Sequence, residues 1–176
     1  MLRRLARIRD VEDGFTLIEL MVVLLIIAIL IVMGLPTFLG VRSRFEDRAA
    51  QQELRNGVLA ARILFTDNAT FVSSTPAGLF QIEPNGCYVA SATQSLASAA
   101  VCAAGAGNAS VSVWGQGPNP NQFSAAKMSA SGSCFLILDS LSGTFYGKTT
   151  TAANCTGQWA GTPGNLTATS PVSAGW

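Results

Sequence analysis

A single carboxylate stands in an otherwise apolar stretch of the chain. Residues 15–39 contain one ionisable side chain, that of Glu19. Placing a carboxylate inside a membrane helix costs on the order of 2.5 to 3.5 kcal/mol on insertion scales. Such a residue should have a cationic partner, so its position predicts ion pairing.

Few residues in this sequence could support catalysis. Histidine, the commonest general base and metal ligand, does not occur in the chain. Carboxylate pairs such as Asp139 with Glu83, or Asp67 with Glu83, are the remaining candidates for acid and base chemistry. Sparse carboxylates in loops are more often solvated, so we expect no enzyme, no metal site and no cofactor.

Four cysteines, Cys87, Cys102, Cys134 and Cys155, lie beyond the apolar stretch. They lack the paired short spacing of a zinc site, and in an exported chain disulfides are the better interpretation. Four cysteines allow three connectivities. We favour Cys87 with Cys102 and Cys134 with Cys155, because each pair closes a modest loop.

The charges are nearly balanced in number, 11 basic against 10 acidic, but they are unevenly placed. Four arginines crowd residues 1–9, whereas Lys127 and Lys148 are the only cations after Arg62. A cationic flank favours the cytoplasmic side of a membrane. With so few cations in the second half, we expect no direct binding of nucleic acid by one subunit.

The elements that position Glu19 follow from the apolar stretch. At about 1.5 Å per residue, a helix over residues 15–39 spans a hydrocarbon core of roughly 30 Å. Residues 1–14, short and charged, predict a leader, and Gly34 with Pro36 predict a kink. A secretory signal peptide has a shorter apolar core, and a plain signal anchor leaves Glu19 unexplained.

The helix is predicted to continue amphipathically over residues 40–66. Its apolar positions recur at spacings of three and four and share one face. They are Ala50, Leu54, Val58, Ala61 and Phe65.

Residues 67–176 predict a β-rich head with a tail poor in charge. A loop is expected over residues 67–78, followed by five strands. The predicted strands are 87–90, 110–114, 122–128, 134–139 and 144–148, with residues 140–143 closing a hairpin. The predicted fold class is therefore α+β, a long helix packed on a small antiparallel sheet.

The segment from Gly14 to Leu20 reads GFTLIEL, and MVVLLIIAIL follows at residues 21–30. It resembles the prepilin leader and first helix of type IV pilins and of the pseudopilins of type II secretion. The resemblance covers residues 1 to about 45, and the rest of the chain is similar only in plan.

The resemblance implies a processing step and an assembly contact. Prepilin peptidase, a membrane aspartyl peptidase, would cut between Gly14 and Phe15 and methylate the new amine of Phe15. Glu19 would then pair with the N-terminal amine of a neighbouring subunit, which is cationic at neutral pH because its pKa is about 7.7. An inner-membrane assembly platform and an assembly ATPase are the other implied partners.

We therefore expect a structural subunit of a type IV pilus-like filament, serving adhesion, twitching motility or DNA uptake. The precursor would be a single-pass protein of the inner membrane, and the assembled form would lie on the cell surface. A pseudopilin of type II secretion and a membrane-anchored binding module are the alternatives. Four cysteines and a long tail rich in Ser, Thr and Gly favour the pilus subunit.

Overall fold

The computed structural model describes residues 14–93, 95, 110–115 and 119–166. The chain divides into two compact units, one ending at Val41 and the other beginning at Arg42. Helix α1 (Leu17–Asn68) contributes residues to both units. Of the predicted leader, only Gly14 lies within the described residues.

The first unit contains the apolar part of α1. Leu17–Leu35 is long and apolar enough to cross a membrane, with a mean hydropathy of 3.1 over 19 residues. None of this segment is buried within the chain. Apolar side chains exposed in such number need lipid or other protein around them. The backbone stays helical through Gly34 and Pro36, and the kink expected there remains a prediction.

In the second unit, α1 turns one face to a hydrophobic core, as predicted. Ala50, Leu54, Val58 and Ala61 are buried, and Phe65 packs half-buried against the same cluster. The helix ends at Asn68, whose side-chain amide donates to the carbonyl of Leu64 at 2.9 Å. Ala69 follows in the left-handed region, at a φ of 57°, which stops the helix.

The prediction of a loop over residues 67–78 is wrong in its second half. A 3-10 turn forms at Phe71–Ser73 and is followed by α2, Pro76–Ile82. Thr75 caps α2 by accepting a hydrogen bond from the N–H of Gly78, and Pro76 stands at the first helical turn. Proline is well suited to that position because its missing N–H would be unpaired there anyway.

Five strands form one sheet in the order β1-β2-β3-β4-β5. Their bounds are β1 Tyr88–Val89, β2 Val111–Trp114, β3 Gln122–Met128, β4 Cys134–Ser140 and β5 Gly143–Thr149. The five predicted strands are confirmed to within two residues at each end. We expected all neighbouring strands to run antiparallel, and this is wrong for one pair of strands, because β1 runs parallel to β2. Residues 90–110 supply the dozen or more residues that a parallel connection needs.

The predicted hairpin joins β4 to β5. Ser140 pairs with Gly143 across a two-residue turn, Leu141 and Ser142. Gly143 has a φ of 134°, a conformation that only glycine adopts without strain.

Each face of the sheet is covered by a different layer. One face, which includes Val113, Phe123 and Ile137, packs with α1. The opposite face, which includes Leu136 and Leu138, packs with Cys155, Ala160 and Leu166. This second layer is built from a 3-10 turn at Ala152–Asn154 and a short helix α3, Gly157–Gly161.

Helix α3 approaches the sheet closely at its first residue. A Cβ on Gly157 would lie 2.8 Å from the carbonyl carbon of Val113, so no larger residue fits. The N–H of Gly157 donates to Oγ of Ser112 at 2.9 Å, and its carbonyl accepts from Oγ of Ser124 at 2.8 Å. Small polar side chains on the sheet therefore fix the end of α3.

Candidate processing and assembly site

The predicted cleavage site lies immediately before α1. Gly14, Phe15 and Thr16 have no regular secondary structure, and the helix begins at Leu17. The side chain of Phe15 is 77% exposed, and the space around Gly14 is open. A peptidase needs accessible backbone outside regular secondary structure, and the Gly14–Phe15 bond meets both conditions.

Thr16 caps the helix that follows. Its Oγ1 accepts a hydrogen bond from the N–H of Glu19 at 3.3 Å, and its carbonyl accepts from the N–H of Leu20 at 3.2 Å. The hydroxyl also donates to Oε2 of Glu19 at 3.5 Å. Threonine followed three residues later by glutamate is the signature of a capping box.

The capping role of Thr16 was not predicted, although the Thr-x-x-Glu spacing carries the signal for it. The structure brings Thr16 and Glu19 together, four residues or fewer from the bond that is predicted to be cut. A carboxylate in the first helical turn also interacts favourably with the helix dipole. Glu19 therefore has one role within its own chain before any partner is considered.

The same carboxylate has no cation in its own segment. Residues 14–41 contain no lysine or arginine, so no positive charge reaches Glu19 from its own segment. Cleavage after Gly14 would create an α-amine at Phe15, four residues away in sequence. The positive charge that Glu19 needs can therefore come from an N-terminus, its own or that of another copy.

A family model described as the prokaryotic N-terminal methylation motif matches residues 10–35. Residues 10–35 carry a type IV prepilin-like signal. This methylation motif includes Gly14, Phe15, Thr16 and Glu19, and it implies processing by prepilin peptidase and filament assembly in general. The motif supports a precursor similar to those of type IV pilins or pseudopilins. No curated protein and no solved structure matches the chain.

The predicted disulfides lie in the head. Cys134 and Cys155 are joined by a disulfide that links β4 to the segment before α3. Cys87 is also disulfide-bonded, and its predicted partner Cys102 lies outside the described residues. The Cys134–Cys155 bond therefore ties the second layer to the sheet.

Asp139, one of the carboxylates considered for acid and base chemistry, is already paired with Arg62. Asp139 is buried, and Oδ1 and Oδ2 accept from Nη2 and Nε of Arg62 at 2.7 and 2.9 Å. Oγ1 of Thr144 donates to Oδ1 of the same carboxylate at 2.6 Å. The hydrogen bond to Asp139 raises the pKa of Arg62, and burial acts in the opposite direction. Among the described residues, no group of three or more potential ligands could hold a metal ion.

A second ion pair crosses from α1 to the middle of the sheet. Nζ of Lys127 is almost fully buried and lies 2.6 Å from Oε2 of Glu53, which is half-exposed. Burial lowers the pKa of Lys127, and the pairing with Glu53 partly offsets that effect. Burial also raises the pKa of the neighbouring Tyr88 to about 12, with Glu83 and Glu53 adding to the rise. These charges hold α1 to the sheet rather than forming an open reactive site.

Proposed function

We propose that this protein is a structural subunit of a type IV pilus-like filament. The observation that carries the proposal is the methylation motif, in which an exposed Gly14–Phe15 bond precedes a capped helix with Glu19 in its first turn. Prepilin peptidase cuts between Gly14 and Phe15 and methylates the amine of Phe15.

Assembly then follows from the exposed apolar part of α1. Residues 17–35 lie in the inner membrane in the precursor and pack against other copies in the filament. The N-terminal amine of a neighbouring copy pairs with Glu19, because an ion pair in low dielectric relieves the desolvation cost of both charges. The pairing also sets the axial register of successive subunits.

An assembly platform in the inner membrane and an ATPase drive the movement of subunits from the membrane into the filament. The filament projects from the cell surface. The head, with its disulfide between Cys134 and Cys155, suits the oxidising environment outside the membrane. Adhesion, twitching motility and DNA uptake are the uses such a filament serves. Within the same class, a pseudopilin of type II secretion is the alternative.

Electron microscopy of filaments sheared from cells that express the tagged protein tests this function. We expect filaments that carry the tag along their length, detected by a gold-labelled antibody. A protein that stays in the inner membrane and is missing from all sheared material would contradict the proposal. Filaments seen only when the protein is overproduced in cells with a type II secretion system would favour the pseudopilin.

A further inference from the structure

A groove in the head lies between the second half of α1 and the edge strand β5. Leu59 and Arg62 line it on α1, and Thr144 and Tyr146 line it on β5. Its volume is about 210 Å³. Small-molecule sites usually measure roughly 300 to 1,000 Å³, so this α1–β5 groove is better suited to one large side chain.

The groove offers an apolar surface to an uncharged occupant. Val58 and Ile137 form part of it and are buried, while Leu59 remains 57% exposed. Both arginines that line the groove already interact within the chain, Arg62 in an ion pair and Arg55 in an interaction of its own. An apolar side chain without a charge is therefore the occupant that fits the groove.

The last described residue lies beside the same strand, on the opposite face of the sheet. Leu166 packs in the second layer, so close to Gly147 of β5 that a Cβ at this glycine would collide with it. Gly147 follows Tyr146, whose side chain lies on the other face of the strand and lines the groove. The segment after Leu166 therefore starts at the edge of the sheet, one strand thickness away from the groove.

The segment after Leu166 is long enough to reach the groove. Residues 167–176 read TATSPVSAGW and lie outside the described part of the chain. The path round β5 from the second layer to α1 crosses two layer spacings of about 10 Å, which is roughly 20 Å. About ten residues in extended conformation span at most roughly 33 to 36 Å.

The composition of this segment matches the surface of the groove. Residues 167–176 contain no charged side chain, and Trp176 is their only aromatic residue. An indole ring buries a large apolar area, and it packs favourably against another aromatic ring such as that of Tyr146. Trp176 is therefore the residue of the segment that is best suited to the groove.

We propose that residues 167–176 pass round the β5 edge and that Trp176 fills the α1–β5 groove of its own subunit. The docked segment covers Leu59 and joins the second layer to α1 across the edge of the sheet. The head then presents the outside of this segment, rather than Leu59, to other molecules. The contact forms within a single subunit and does not depend on filament formation.

Thiol labelling of the full chain in detergent micelles tests whether the groove is covered. Among the described residues no cysteine is free, so a maleimide reagent reports on an added thiol. We expect Leu59→Cys to react about ten-fold faster or more when Trp176→Ala is added, which corresponds to a docking free energy of at least about 1.4 kcal/mol. Ile63→Cys is the matched control, because Ile63 is 49% exposed on the same helix and lies outside the groove. Its labelling rate should be the same with and without Trp176→Ala.

Disulfide cross-linking identifies the occupant of the groove. Gly175→Cys leaves Trp176 in place, and its combination with Leu59→Cys should give an intrachain disulfide after mild oxidation. The product is a monomer that is lighter than the reduced chain by two hydrogen atoms. Gly175→Cys combined with Thr162→Cys, which places the partner thiol just after α3 on the other side of the sheet, should give almost none.

Three results would overturn the inference. A covalent dimer in place of the intrachain disulfide would show that the groove takes a second copy of the chain. Equal cross-linking of the two combinations, or none in either, would show that the segment is not docked. A labelling rate of Leu59→Cys that Trp176→Ala leaves unchanged would show that Trp176 does not cover the groove. Because all three are measured on single subunits in micelles, they leave the proposed filament function untouched.

Discussion

The hydroxyl of Thr16 accepts a hydrogen bond from the N–H of Glu19 and donates one to its carboxylate. The residue that caps α1 therefore also positions the only charge in the apolar segment. Glu19 has a local role in starting the helix and a proposed role in pairing with another subunit. These two roles make different demands, because capping needs a hydrogen-bonding side chain and pairing needs a negative charge.

Glu19→Gln separates the two roles. The amide can still bond to Thr16 but carries no charge, so we expect helix α1 to form normally and filaments to be lost. Glu19→Ala should lose the side-chain contact with Thr16 as well as the filaments, with membrane insertion retained in both variants. Filament yield and membrane fractionation measure the outcome, and normal filaments from Glu19→Gln would remove the pairing argument.

Thr16→Ala should loosen the first turn of α1. The loss of a threonine N-cap costs about 1 kcal/mol, which corresponds to roughly five-fold faster hydrogen exchange at the N–H of Glu19. Thr16→Ser keeps the hydroxyl and is the control that should exchange at nearly the wild-type rate. The measurement is made on the full chain in detergent micelles, and equal exchange in the Ala and Ser variants would show that Thr16 is not the cap.

Arg62→Ala should destabilise the head. Among the described residues, the change leaves the buried carboxylate of Asp139 with Thr144 as its one remaining partner, and we expect the free energy of unfolding to fall by about 2 to 3 kcal/mol. Arg42→Ala is the control, because the exposed pair of Arg42 with Glu46 contributes under about 0.5 kcal/mol. Urea unfolding of the full chain in micelles, followed by tryptophan fluorescence, measures the free energy of unfolding of both variants. Similar decreases in the two variants would contradict a stabilising role for the Arg62–Asp139 pair.

Tyr88 should make the head less stable at high pH. Its phenol has a pKa near 10 when unfolded and about 12 when folded, so above pH 10 the unfolded chain loses a proton that the folded chain keeps. Stability is then lost as pH rises from 10 toward 12, by about 1 kcal/mol between pH 10 and 11. Tyr88→Phe should remove this part of the pH dependence, whereas Tyr146→Phe should retain it. Identical pH profiles for wild type and Tyr88→Phe would be incompatible with the buried phenol.

The parts of the fold that depend on local pattern could be predicted from the sequence. The buried face of α1, from Ala50 to Phe65, follows the helical period, and the five strands follow β-favouring residues between turns. Helix α2 was missed because Thr75 and Pro76 were interpreted as loop residues, although together they form a helix start. Helix α3 was missed because five residues, two of them glycine, carry almost no helical signal.

Contacts between residues that are far apart in the sequence have no local pattern that predicts them. Arg62 and Asp139 are 77 positions apart, and nothing in either neighbourhood marks them as partners. The parallel pairing of β1 with β2 likewise depends on how residues 90–110 connect the two strands, which strand composition does not determine. At the predicted processing site, the resemblance to prepilins identifies Gly14 and Phe15 as candidates and the isolated charge identifies Glu19, whereas the capping role of Thr16 required the geometry.

The most direct test of the central claim is mass spectrometry of the N-terminal peptide from the protein in sheared filaments. Processing as proposed predicts a peptide that begins at Phe15, is heavier than the unmodified sequence by the mass of one CH2 because a methyl group replaces an amine hydrogen, and contains Glu19 unaltered. A filament subunit that retains residues 1–14, or that begins at any residue other than Phe15, would contradict it.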